Sequence, residues 1–273
     1  MRAPASSILI LRNDARFYGA LVRKYGRTEM NETIKQLKDR KSVRVFEDGP
    51  ISEDLVRDIL DAACQAPTAG NQQLYTIIRV TDTDLLAALS ESCDHQPFIK
   101  EAGLALVFCA DCLKWQKAYE YAGCEPRKPG AGDMLLAVVD AAIAAQNAVV
   151  AAESLGIGSC YIGDILENCE TQRELLGLPQ YVVPAVMLVF GRPTEQQKSR
   201  PKPARSALEY IVSENRYPEM DAEYVRAMLE PKSGATDYDA WIKAFFKRKY
   251  DSDFPREMSR SVEEYLNDFT SSP

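Results

Sequence analysis

A single histidine, His95, stands in a chain of 273 residues. That scarcity removes two kinds of chemistry. Hydrolysis by a histidine base would have to run through His95, and a multi-histidine metal centre has no ligands to draw on. The stretch Cys93-Asp94-His95-Gln96-Pro97 carries no nucleophile-elbow pattern, so His95 reads as a loop residue. An excess of positive charge is also missing. Lys and Arg number 33 against 40 Asp and Glu, a formal charge of −7, which repels nucleic acid and anionic membrane surfaces. Any anion site must then be a local basic cluster. A clean membrane-spanning run is absent too: the most apolar long stretch, Met134 to Ala152, holds Asp140, Gln146 and Asn147 and reads as a buried helix. No repeat and no low-complexity tract interrupts the chain. Met1 to Leu11 has one Arg and a short apolar patch, which does not read as a secretory signal. Seven cysteines, an odd number scattered along the sequence, read as free thiols in a reducing cytoplasm. Cys109 and Cys112 have CxxC spacing, but no second pair exists, so buried thiols are expected there rather than zinc.

What is present suits one substantial core, with 46% hydrophobic and 27% charged residues. The first thirty residues read as an extension, with a helix over Asp14 to Tyr25. Thr28 to Asp39 reads as a second helix, with Ile34 and Leu37 on one face. Ser52 is placed to cap the next helix, which carries Leu55, Val56, Ile59, Leu60 and Ala63 at helical spacing and ends before Pro67. Strands are expected over Tyr75 to Val80, Leu104 to Ala110, Ser159 to Ile162 and Val182 to Phe190. Further helices are expected over Asp133 to Leu155, Asn168 to Leu176, Asp237 to Tyr250 and about Pro255 to Phe269. Strands alternate irregularly with helices, which predicts a mixed fold and not a regular βαβ series.

Three segments carry possible chemistry. If Arg40-Lys41-Ser42-Val43-Arg44 is extended, Arg40, Ser42 and Arg44 share one face and form a clamp for a phosphate or carboxylate. A solvated basic turn is the competing reading. Ala66 to Gln73 joins a helix end to a strand start. Its small residues would let a flat ring approach the backbone, although Gly70 and Asn71 equally suit an ordinary turn. Gly156-Ile157-Gly158-Ser159-Cys160-Tyr161-Ile162-Gly163 looks like a dinucleotide fingerprint in the wrong order: it follows a helix and opens a strand. These glycines are expected to end the long helix and, at Gly163, to leave a backbone amide accessible to a ligand.

Taken in order and spacing, the segments resemble the FMN-dependent nitroreductase family. The matching pieces are Arg-x-Ser-x-Arg-x-Phe at Arg40 to Phe46, the helix and Ala-Pro-Thr-x-x-Asn loop from Ile51 to Asn71, Gln96-Pro97-Phe98-Ile99, and most closely Val138 to Pro193. This last stretch is similar to the A-type, oxygen-insensitive NADPH nitroreductase and flavin reductase group. The resemblance implies an α+β, three-layer fold, with a central, mostly antiparallel sheet flanked by helices, in an intertwined homodimer. It places the core over residues 31–218 and a C-terminal helical excursion over 219–273, packed on the core or on the partner.

The resemblance further implies that Arg40, Lys41, Ser42, Val43 and Arg44 hold the ribityl chain and phosphate of FMN, with Arg205 closing on the phosphate. Thr68 and Asn71 from the second subunit would line the isoalloxazine, with Gln96 meeting it across the interface. Tyr161, Ile162 and Gly163 would cover one face and aim an amide at the N5–O4 edge, a donor suited to negative charge on the reduced ring. Two positions depart from the family pattern. Asp164 stands where a Gly is common, and Pro203 stands where a phosphate-binding Lys is usual, with Lys202 one residue earlier as a substitute. NADPH or NADH would be the reductant in a ping-pong cycle. Nitroaromatics, quinones or free flavin would be acceptors, and no side chain need serve as a dedicated acid. The nicotinamide preference stays open, because Lys247, Arg248 and Lys249 match no family position and read as a solvated helix face. The rival readings are a non-catalytic flavin carrier or sensor, and a flavin-dependent dehalogenase or flavin-destroying enzyme with the Ala110 to Asp133 segment as a lid.

Overall fold

The structure, a computed structural model, describes residues 30–270. The helix expected at Asp14 to Tyr25 lies outside them. The described residues divide into two units, 30–39 and 40–270. In the first, helix α1 spans Glu32–Asp39. It begins where the Asn31 Oδ1 accepts from the Thr33 amide at 3.0 Å, four residues later than the sequence suggests.

The second unit is built on a four-stranded, wholly antiparallel sheet. Its strands are β1 (Tyr75–Val80), β2 (Leu104–Asp111), β3 (Gly158–Ile162) and β4 (Val182–Gly191), in the order β1-β2-β4-β3. The two central strands are covered on both faces, and their alternation separates two cores. Leu104, Leu106, Phe108 and Ala110 of β2 face one side with Leu188 and Phe190 of β4. Ala105, Val107 and Cys109 face the other with Met187 and Val189. Helices α2 (Glu53–Cys64) and α5 (Ala131–Ser154) cover the first side. Helix α3 (Thr83–Ser92) contributes Leu89 to the second, and α6 (Cys169–Leu176) packs Leu175 and Leu176 against it. This is the expected three-layer α+β arrangement.

Helix α5 has the length and mean hydropathy of a membrane span, yet Ala137, Ala141, Ala144, Ala145 and Ala148 are fully buried in the first core. Its alanines let it lie close to the sheet and α2, and the Asn147 amide donates to the Ala62 carbonyl at 3.1 Å. Gly156, at φ +72°, turns the chain out of it.

Other elements depart from the sequence reading. Ser52 stands at the N-cap of α2, but its side chain makes no capping bond; the acidic Glu53 and Asp54 in the first turn suit the helix dipole instead. Helix α3 was not foreseen. Asp82 starts it by accepting from the Asp84 and Leu85 amides, both at 2.8 Å. The remaining helices are α4 (Leu113–Tyr121), α7 (Glu195–Ser199), α8 (Ala222–Leu229), α9 (Tyr238–Lys249) and α10 (Asp253–Thr270). The last is built into the body: Tyr265 is wholly buried, Arg173 and Asp268 pair at 2.6 Å, and the Ser261 hydroxyl donates to the Leu166 carbonyl at 2.7 Å.

Candidate active site

Residues 40–47 run extended along the exposed edge of β3 and the end of β4. The Val43 amide donates to the Ser159 carbonyl at 2.9 Å, and the Glu47 amide to the Arg192 carbonyl at 2.8 Å. Ser42 bridges Ser159 in parallel, and Phe46 bridges Pro193 antiparallel. The approach is close enough to demand glycine beneath it. A Cβ on Gly158 would sit 2.6 Å from a Val43 methyl, and one on Gly191 would sit 2.5 Å from the Phe46 ring. Gly158 therefore admits this segment to the sheet. With Val43 buried against it, Arg40, Ser42 and Arg44 fall on the other face of the extended segment, as alternation requires.

Their surroundings support an anion site. The Nε and Nη2 of Arg40 are buried with no hydrogen-bond partner, as is the Nε of Arg200. Unmet guanidinium donors in a protein interior are costly, and an anion is the group that satisfies them. Arg200 donates to the Ser42 carbonyl. Lys41 turns away, and its Nζ donates to the Lys198 carbonyl at 2.7 Å and to that of Arg200. Gln197, buried on α7, accepts from the Arg44 amide at 3.3 Å. The Arg44 guanidinium lies 5.9 Å from the Phe98 ring centre.

Across from this cluster, Cys160 and Tyr161 feel its charge. Burial raises the Cys160 thiol, and Arg44, Ser42 and Arg40 partly offset that rise. Burial pushes the Tyr161 phenol up to about 12 against the pull of Arg40. Tyr161 thus stays protonated and donates to the Gln146 side-chain Oε1 at 3.2 Å. Gly163 is exposed, with nothing within 4 Å of the place a Cβ would take. Asp164 follows it and accepts from the Gln96 amide at 2.9 Å, so Gln96 joins the cluster of its own chain and not, as expected, that of the second subunit. The structure therefore gathers Arg40, Ser42, Arg44, Gln96, Tyr161, Ile162, Gly163 and Asp164 into one neighbourhood.

Thr68 and Asn71 have a different support. Asp140, buried on α5, accepts from the Ala69 amide at 3.0 Å and from the Leu74 amide at 3.1 Å. The Thr68 hydroxyl accepts from the Gln73 amide at 3.1 Å. Gly70, Asn71 and Gln73 all have positive φ. One buried carboxylate thus shapes the loop; the loop's own hydrogen bonds do not reach the arginine cluster. Arg205 is exposed and Lys202 half-buried in the segment after α7. Arg200, absent from the sequence expectations, supplies a guanidinium that donates to the Ser42 carbonyl. Its signal was the repeat of basic residues at Lys198, Arg200 and Lys202.

The thiols at Cys109 and Cys112 are pushed up to about 12 by burial and nearby carboxylates; they are inert protonated thiols. A cavity of about 400 Å³ beside α4 and the start of α5 is lined by Trp115, Tyr119, Arg127 and Leu136, none of them in the expected site. The Ala110 to Asp133 segment contains α4, a helix with no fully buried residue.

Residues 37–192 match the Nitroreductase family. The chain is 32% identical over 238 residues to the FMN reductase [NAD(P)H] of Bacillus subtilis (strain 168), covering 86% of this chain and 91% of that one. It is 32% identical over 212 residues to a Cr(VI) reductase of Pseudomonas sp. (strain G-1), covering 76% and 87%. The crystal structure of nitroreductase A from Vibrio parahaemolyticus RIMD 2210633 superposes with a TM-score of 0.75 at 28% identity, over 88% of this chain and 97% of that one. By its matched segment, its fold and the basic strip lying against β3, this chain belongs to the nitroreductase family.

Proposed function

We propose that the chain is a dimeric, FMN-dependent oxidoreductase that takes hydride from NADPH or NADH and reduces nitroaromatics, quinones or free flavin. The observation that carries this reading is the set of buried, unpartnered guanidinium donors on Arg40 and Arg200 beside Ser42. Such donors fit a phosphate. The open backbone at Gly163 leaves room for a flat ring nearby. Arg40, Ser42 and Arg44 hold the phosphate and ribityl end, with Arg205 and Lys202 closing over it. Lys41 and Val43 keep the strip in place, Val43 by packing on Gly158. Tyr161, Ile162, Gly163, Asp164 and Gln96 border the ring. Bound FMN supplies the hydride chemistry, which explains why one histidine suffices. The residues position and desolvate; nicotinamide and acceptor use the same face in turn, a ping-pong order. Relatives named as FMN and Cr(VI) reductases support electron delivery to varied acceptors.

Dimer formation is supported by the segment between Ser206 and Tyr250. Only Ser233 in it is buried, while Leu208, Ile211, Val212, Phe245 and Phe246 are exposed. A partner subunit covering that segment, and the exposed Leu135, Leu136 and Val139 on α5, would bring Thr68 and Asn71 to the partner's flavin. In this reading the excursion packs on the partner up to Tyr250, while α10 stays with its own core. Seven free cysteines suit a cytoplasmic enzyme. The experiment is steady-state oxidation of NADH and NADPH by the purified, FMN-loaded protein across nitro compounds, quinones, flavins and chromate. Multiple turnover is expected. Flavin binding with no turnover would mark a carrier.

A further inference from the structure

Gln96 spends both of its amide hydrogens inward. Its Nε2 donates to the Cys93 carbonyl at 2.8 Å and to Asp164 Oδ2 at 2.9 Å. A backbone carbonyl only accepts, so this pair of bonds fixes which end of the carboxamide points in. The oxygen is what Gln96 has left to offer. The anchor is Asp164, which in turn lies against Glu167 at the end of the short turn Asp164–Leu166.

Glu167 is 7% exposed, and its Oε1 is buried without a partner. The titratable groups around it are acidic or neutral. Asp164 sits on its own turn, Asp94 and Cys93 on the loop after α3, and Glu257 on α10. Glu257 is itself engaged by Arg260 at 2.8 Å and by the Asn168 amide at 3.2 Å. Arg260 is shared with Glu170 at 2.9 Å. A buried carboxyl in such company needs a proton, and Asp164 lies beside it to accept that proton's hydrogen bond.

We propose that Asp164 and Glu167 share one proton, and that this pair holds the Gln96 carboxamide with its oxygen presented to the flavin site. The proposal rests on the FMN reading above. When Glu167 carries the proton, its O–H donates to Asp164, which accepts from Gln96. When the proton leaves for solvent, two carboxylates face each other, Asp164 is pushed aside, and Gln96 loosens. Burial, reinforced by Asp164, lifts Glu167 to about 7, so the change falls within the working range of a cytoplasmic enzyme. Asp164 is a positioning residue; it acts through Gln96.

The test is the dissociation constant for FMN of flavin-free full-length protein from pH 5.5 to 8.5, for wild type, Glu167→Gln, Asp164→Asn and Asp164→Ala. Taking the ratio to Glu167→Gln cancels titration of the FMN phosphate. Glu167→Gln mimics the protonated acid, so the ratio should be near one at pH 5.5. It should rise about three- to tenfold in favour of the variant at pH 8.5, the worth of one hydrogen bond. Asp164→Asn, which still accepts from Gln96 and donates to Glu167, should keep a constant ratio to Glu167→Gln across the pH range. Asp164→Ala should bind about three- to tenfold more weakly than wild type at pH 5.5. A ratio that does not move with pH, or wild-type affinity in Asp164→Ala at pH 5.5, overturns the proposal. If wild type takes up no FMN at any pH, the FMN reading fails by itself. Urea unfolding of wild type against Glu167→Gln then decides the pair: a stability difference constant from pH 5 to 8.5 refutes the shared proton.

Discussion

The two supports of the site are built on opposite principles. The loop carrying Thr68 and Asn71 is finished within the chain: a buried carboxylate, Asp140, accepts from two of its backbone amides. The strip carrying Arg40, Ser42 and Arg44 is left open, with buried guanidinium donors that no protein atom meets. A closed hydrogen-bond set shapes the backbone and belongs to folding. An open set of charged donors stores binding capacity at the expense of stability, and belongs to function. The contrast tells which residues to change when stability is to be moved and which when affinity is.

The largest effect should come from the closed side. Asp140→Ala removes the acceptor from two amides inside the core and is expected to cost about 3–5 kcal/mol, measured by urea unfolding. If the variant folds as stably as wild type, Asp140 does not organise the loop. On the open side, Arg40→Ala should leave the unfolding midpoint unchanged or raised. It should weaken FMN binding about tenfold to a hundredfold, the worth of a charge-assisted pair with phosphate. Comparable losses of stability in both variants would erase the distinction.

Gly158→Ala sharpens the comparison, since it touches the junction between strip and sheet. Its methyl would meet Val43 at 2.6 Å. It is expected to cost about 1–3 kcal/mol by overpacking, and to lower FMN affinity by shifting Ser42. A loss of stability with affinity intact would show that Val43 and the anion-binding face move independently.

The last effect concerns pH and vanishes in acid. The ordinary carboxyl value for Glu167 is 4.5, and burial lifts it to about 7 in the folded chain. A carboxyl raised on folding contributes stability that is fully present below about 4.5 and is lost as pH climbs through about 7. Glu167→Gln should therefore be indistinguishable in unfolding free energy at pH 4.5, and more stable by at most about 2–3 kcal/mol at pH 8. The same advantage at both pH values would mean that the gain has nothing to do with ionisation.

Much of this was legible in the residues because it depends on local pattern. The apolar spans of β2 and β4, the alanine-rich α5, the extended Arg40 to Arg44 strip and the turn at Gly70 and Asn71 each follow from local composition, side-chain spacing or chain chirality. What was not legible depends on pairing across long separations. That Asp140 holds a loop some seventy residues away, that Arg200 reaches Ser42, and that Glu167 lies against Asp164 beside Gln96 are outcomes of sheet order and helix docking. Helix α3 was missed for another reason: its mixture of Thr, Asp, Leu, Ala and Ser carries a weak apolar stripe, and the cap at Asp82 is its clearest mark.

If the open arginine strip is a flavin phosphate site, FMN affinity must depend on it. That dependence is tested most directly by titrating FMN into flavin-free wild type and Arg44→Ala, following quenching of flavin fluorescence. Saturable, one-to-one binding per chain is expected of wild type, and a dissociation constant at least about tenfold higher for the variant at an unchanged unfolding midpoint. Equal affinity in the two proteins, or no uptake of FMN by wild type, would contradict it.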